Sequence, residues 1–168
     1  MSHIKNLADQ EAIKKLQSLA KEKTCFFSTY TDPFDVDSRP MFTQSVEEDG
    51  SIWFFSQAES HTNKQILENN KVNLSYANAN GSYLFVKGEA SVSKDRQIID
   101  KLWSPFAKTW FPEGKDDPQL TLIQVNPVEA NYWDTEHGKI VSLIKIAWST
   151  LTGDTKDDGV QGKLEVHK

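Results

Sequence analysis

Two neighbouring stretches of this chain alternate strictly in polarity: Val72, Leu74 and Tyr76 flank Asn73 and Ser75, and Leu84, Val86, Gly88 and Ala90 flank Lys87 and Glu89. The run Asn78-Ala79-Asn80-Gly81 between them is turn chemistry. A period of two puts the apolar set on one face, which means half-buried antiparallel strands. Comparable β-rich segments are expected over residues 24–30, 40–46, 51–56, 120–125 (continuing toward 133) and 139–148, about seven strands in all. Helical spacing is confined to residues 7–22, 61–69 and 94–103, and an irregular link is expected over 104–118. Strands at this spacing with helices at the margin fit a mainly β (α+β) chain folded as a small closed or nearly closed barrel, because closure removes exposed edges.

At 168 residues, with 38% hydrophobic content, one domain over residues 1–150 is expected to hold a full core. Residues 151–168, rich in Gly, Asp and Lys, read as a flexible C-terminal tail. A net charge of −5 argues against a general nucleic-acid or anionic-membrane surface, so an anionic ligand must be held locally. No charged-then-apolar leader opens the sequence as read and no apolar run approaches the roughly 18 residues of a membrane helix. The single cysteine, Cys25, reads as a small buried hydrophobe in a reducing compartment, and a cytoplasmic protein is expected. The four histidines lack metal-ligand spacing, and the group Asp154, Asp157 and Asp158 lacks a calcium-loop pattern, so no metal site is expected.

Two segments carry the chemistry. In the first, Arg39-Pro40-Met41-Phe42-Thr43, Arg39, Met41 and Thr43 share one strand face and Pro40 and Phe42 the other. A cation, a thioether and a hydroxyl on one face suit a phosphorylated, ring-bearing ligand; the same residues also fit an exposed arginine in an ordinary strand. In the second, Phe55 and Ser56 lead to Ser60-His61-Thr62-Asn63-Lys64, where Ser60 is a good N-cap and the helix start receives anions. His61 and Thr62 can donate from the first turn, and Lys64 lies one turn in. A short surface helix with a routine cap is the alternative. Of the five tryptophans, Trp110 stands apart, because it lies in the irregular link rather than in an element that fixes it in the core.

These segments, with Leu102-Trp103, Trp110-Phe111-Pro112-Glu113-Gly114, Asp117-Pro118 and Asn131-Tyr132-Trp133-Asp134, resemble the pyridoxamine 5'-phosphate oxidase-like flavoproteins, and within them the general stress proteins. The resemblance implies a split β-barrel, a homodimer, and FMN in the cleft between subunits. It implies that Arg39 holds the phosphate, that Met41 to Thr43 line the ring through their backbone, that Phe55 and Ser56 flank ring and ribityl chain, and that Ser60 to Thr62 complete the phosphate loop. Where oxidases of the family tend to place an Arg-Lys pair, this chain has His61-Thr62, and after Trp148 it has no arginine to grip pyridoxine phosphate. Pyridoxamine phosphate oxidation is therefore not expected. An FMN-dependent oxidoreductase with an unknown small-molecule redox partner and no assignable catalytic residue remains. The alternatives are a non-catalytic flavin carrier or stress sensor, a relative holding haem or a deazaflavin, and a purely structural barrel.

Overall fold

The computed structural model describes residues 3–32, 35–135 and 159–165. Its elements run β1 (His3–Ile4), β2 (Leu7–Ala8), α1 (Asp9–Ala20), β3 (Thr24–Asp32), β4 (Asp35–Val46), β5 (Ile52–Gln57), α2 (His61–Glu68), β6 (Lys71–Ala77), β7 (Tyr83–Ser93), α3 (Arg96–Leu102), β8 (Leu120–Thr135) and β9 (Gly159–Glu165). The link before β8 is two short 3-10 turns, Pro105–Thr109 and Gly114–Asp116.

Strands β8, β5, β4, β3, β6 and β7 pair in that order, and β7 pairs back onto β8, which closes a six-stranded antiparallel barrel. The alternation seen in the sequence is the inside–outside alternation of this ring. Leu74 pairs with Val86 and Val72 with Gly88, and Val72, Leu74, Tyr76, Leu84 and Val86 are all buried in one core with Phe27, Phe54, Ile123 and Val125. Closure depends on β8, which at 16 residues is long enough to serve β5 with its first half and β7 along most of its length. The register of β7 shifts between Lys87 and Gly88, opposite Pro127, where β8 turns the corner. Here a Cβ on Gly88 would stand 2.7 Å from Val125 Cγ1 and 2.8 Å from the Asn126 carbonyl, so only glycine lets the strands approach.

Helices α1 and α2 each touch strands from different sides of the ring, α1 on β4 and β7 and α2 on β3, β5 and β7, so each lies across a mouth of the barrel. Their apolar stripes face inward: Ala12, Ile13, Leu16, Leu19 and Ala20 from α1, and Ile66 from α2. Outside the barrel, Trp53, Leu120 and Leu122 pack with Ile99 and Phe111, and this second cluster fixes α3 and the link against β5 and β8.

Two expectations change. Residues 7 and 8 are not helical but pair as β2 with Leu164 and Glu165. Residues 159–165, expected within a flexible tail, form strand β9 between β8 on one side and β1 and β2 on the other. Pairing on both sides, together with the Tyr132 hydroxyl donating to the Lys5 carbonyl at 2.6 Å, supplies order that local composition does not. The expected mainly β barrel is present, with six strands in the ring and three more beside it among the described residues. The strand expected over residues 139–148 lies outside the described residues.

Candidate functional site

Thr29 of β3 stands directly opposite Asp37 of β4, and Arg39 follows two residues on, on the same face. That face meets the first turns of α2. Ser60 caps the helix, its Oγ accepting from the Asn63 backbone N–H at 3.1 Å, and Ser56 Oγ lies 3.1 Å from Ser60 Oγ. Asn63 is buried and donates from Nδ2 to the Gln57 carbonyl at 3.0 Å and to Thr121 Oγ1 at 2.9 Å, pinning the turn before the helix to β8. The N–H groups of His61 and Thr62 carry no intrahelical acceptor, by helix geometry.

Arg39 reaches this helix start. Its Nη1 donates to Thr29 Oγ1 at 2.9 Å and to Thr62 Oγ1 at 3.0 Å, and its Nη2 donates to Gln65 Oε1 at 3.1 Å and lies 3.4 Å from Asp37 Oδ2. Burial lowers the guanidinium pKa and Asp37 opposes that effect; a guanidinium stays charged either way. A half-buried cation beside hydroxyls and a helix N-terminus is a seat for a phosphate-like anion.

Next to it, on the outward side of β4 and β5, a cavity of about 230 Å³ is lined by Pro40, Met41, Phe42, Gln44, Phe55, Ser56, Gln57, Ala107, Trp110 and Phe111. Trp110, 51% exposed, meets Phe106 edge-on at 4.8 Å, and Phe106 meets Phe42 at 5.5 Å, so the mouth is an aromatic wall. Phe55 packs edge-on against Phe111 at 6.2 Å. No lining side chain is an acid, a base or a histidine. A larger groove of about 590 Å³ runs past the end of α2, but Glu68, Lys71, Lys87 and Glu89 make it mixed in charge, and Tyr30 is its single aromatic residue.

The residues singled out in the sequence divide accordingly. Arg39, Ser60 and Thr62 come together at the helix start, and Pro40, Met41, Phe42, Phe55, Ser56 and Trp110 line the cavity. Thr43 does neither with its side chain: it is fully buried, and its Oγ1 lies 2.8 Å from the Tyr76 hydroxyl inside the barrel. Along β4, Thr43 turns into the core, Met41 packs against the core while also lining the cavity, and Pro40, Phe42 and Gln44 line the cavity. Lys64 points away to solvent, 3.6 Å from Glu59, and His61 is exposed; neither contacts Arg39 among the described bonds. Sequence reading missed Thr29, Asp37 and Gln65 around Arg39, which only the β3–β4 register and the helix placement reveal.

The sequence model described as "Pyridoxamine 5'-phosphate oxidase like" matches residues 11–157. The chain belongs to that family. Among curated relatives, protein bli-3 of Neurospora crassa is 27% identical over 126 residues, which is 69% of this chain but only 60% of bli-3. General stress protein 26 of Bacillus subtilis is 27% identical over 97 residues, 55% of this chain and 69% of that protein. Among solved structures, a general stress protein 26 from Jannaschia sp. CCS1 superposes with a TM-score of 0.76 at 24% identity, covering 92% of this chain and 96% of that one. A general stress FMN/FAD binding protein from Xanthomonas citri superposes at 0.63 and 24% identity, covering 73% and 87%. Both superpositions show that this chain shares the fold of those proteins. No helix among the described residues is long and apolar enough to cross a membrane.

Proposed function

We propose that this chain is an FMN-binding oxidoreductase of the pyridoxamine 5'-phosphate oxidase-like family, of the general stress protein type and not itself an oxidase of pyridoxamine phosphate. The observation that carries the reading is the Arg39 guanidinium held at the first turn of α2 beside an aromatic-walled cavity. The donor set fits the cofactor: guanidinium, hydroxyls and helix N–H groups suit a phosphate monoester of about −1.5 to −2 charge, and Met41, Phe42, Phe55, Trp110 and Phe111 suit a flat, largely apolar ring. The name of the Xanthomonas citri relative, which binds FMN or FAD, adds support. In this reading Arg39 and Thr62 hold the phosphate, the β4 edge of the cavity positions the ring, and Trp110 controls access at the mouth.

Bound FMN supplies the redox chemistry, exchanging a hydride or electron pair with a small molecule, while the protein contributes binding, ring environment and access. A cavity of about 230 Å³ is smaller than the about 300–1,000 Å³ usual for sites that enclose a ligand of this size, so a second copy of the chain completes the enclosure in a homodimer. The lack of arginine among residues 149–168 argues against a pyridoxine phosphate grip, and with His61-Thr62 in place of an Arg-Lys pair the cofactor phosphate leans on Arg39 and the helix end.

One observation favours a second reading, a flavin carrier or stress sensor without turnover: the cavity offers no acid or base of its own. Titration with FMN, followed by flavin fluorescence, tests the first statement, and absence of quenching at micromolar protein would end it. Oxidation of a reduced nicotinamide cofactor above the free-flavin rate separates enzyme from carrier.

A further inference from the structure

Gln65 sits one turn beyond the helix start and makes bonds of opposite polarity with its two ends. Its Oε1 accepts from Arg39 Nη2 at 3.1 Å and from Thr29 Oγ1 at 2.6 Å, and its Nε2 donates to Asp37 Oδ2 at 2.8 Å. Arg39 Nη1 donates in turn to Thr29 Oγ1 at 2.9 Å. Arg39, Thr29 and Gln65 therefore form a closed ring of hydrogen bonds, and the Arg39–Asp37 ion pair at 3.4 Å closes a second ring that shares the Arg39–Gln65 edge.

The directions within these rings are forced. A guanidinium only donates, a carboxylate only accepts, and the single proton of the Thr29 hydroxyl goes to Gln65, leaving its oxygen free to accept from Arg39. The amide must then turn its oxygen toward Arg39 and its nitrogen toward Asp37. A glutamate here would set a carboxylate against Asp37, and a lysine or arginine would set a cation against Arg39. Thr29 is 0% exposed, so the arrangement is anchored in the barrel wall rather than in solvent. An unrestrained arginine samples many rotamers, whereas this one is fixed in the plane that its four contacts define.

We propose that Gln65 is a positioning residue for anion recognition: it locks the Arg39 guanidinium in the orientation that receives the ligand's phosphate, and so sets the preference for phosphorylated over unphosphorylated flavin. This rests on the FMN reading above, with Arg39 as the group in contact and Gln65 acting through it. The position is legible in neither the helix cap nor the strand pattern, because it arises where the second turn of α2 meets the β3–β4 register.

The test is a double-mutant cycle between Arg39→Ala and Gln65→Met, reading dissociation constants for FMN and for riboflavin on the full chain. Methionine keeps the length and helix preference of glutamine without its polar end, and Gln65→Ala serves as the second variant; thermal melts confirm that both fold. Gln65→Met is expected to weaken FMN binding about tenfold, to leave riboflavin within about twofold, and to have no further effect once Arg39 is Ala, as coupled neighbours behave. Equal losses for both flavins, or a full additional loss in the Arg39→Ala background, would overturn the positioning role while leaving FMN binding intact. A wild-type chain that binds FMN no better than riboflavin would instead remove the phosphate anchor itself, and Gln65's role with it.

Discussion

Replacing Arg39 by alanine removes at once three hydrogen bonds, to Thr29, Thr62 and Gln65, and the ion pair with Asp37. Two quantities follow. For the ligand, a charge-assisted hydrogen bond to phosphate is worth about 1.5–3 kcal/mol, which raises the FMN dissociation constant roughly ten- to hundredfold. Riboflavin has the same ring and no phosphate, so its affinity should stay within about twofold. For the fold, Thr29 keeps its donation to Gln65 at 2.6 Å, so the buried hydroxyl is not orphaned and the loss should be only about 1–2 kcal/mol, a few degrees in melting temperature. Flavin fluorescence quenching at two ionic strengths gives both affinities, and salt should weaken wild-type FMN binding while barely touching the variant. Equal losses for the two flavins would show that Arg39 serves the fold and not the phosphate, and the reasoning would fail at that point.

Asp37, whose side chain is 59% exposed, competes with an incoming anion for Arg39. Asp37→Asn should therefore tighten FMN binding by up to about fivefold, the scale of a solvent-screened ion pair, and calorimetry would register it. Burial pushes the Cys25 thiol up to about 12 from an ordinary value of 9.0, so the unfolded chain gives up this proton first as the solution becomes alkaline. Stability is then fully present below pH 9 and falls between about pH 9 and 12, and Cys25→Ala should flatten that part of the urea-denaturation profile relative to wild type. Gly88→Ala should cost about 1–3 kcal/mol in the same assay, because the added methyl meets Val125 and the Asn126 backbone under 3.0 Å, neither of which can retreat without opening the barrel corner. Trp110→Ala should raise the dissociation constants of FMN and riboflavin together, in contrast to Arg39→Ala, since it touches only the ring end of the site.

The alternation over residues 72–90 was enough to read the antiparallel hairpin and, with the other segments, the barrel. The Ser60 cap was equally readable, because an N-cap is a local event and Asn63 lies within its reach. Thr43 shows where such reading stops. Parity tells which residues share a face, but not which face turns inward, and the Tyr76 hydroxyl that receives Thr43 comes from a strand 33 residues away. Strand β9 fails for a related reason: Gly159, Val160, Gln161 and Gly162 carry no usable alternation, and they become a strand through partners on both flanks, residues 3–4 on one and 130–135 on the other. Asp37 and Gln65 needed both the register of β3 on β4 and the seating of α2, neither of which is written in either segment alone.

The layout of the sheet bears on how this protein behaves when concentrated. Six strands have both neighbours within the ring; β9 has β8 on one flank, and on the other only the two-residue pieces β1 and β2, interrupted at Lys5 and Asn6. Among the described strands, residues 35–42 of β4 pair only with β3, since β5 meets β4 from Thr43 onward, so this flank is where another chain could add a strand. Asp35, Asp37 and Pro40 along that flank work against such pairing, two by charge and one by lacking a backbone N–H.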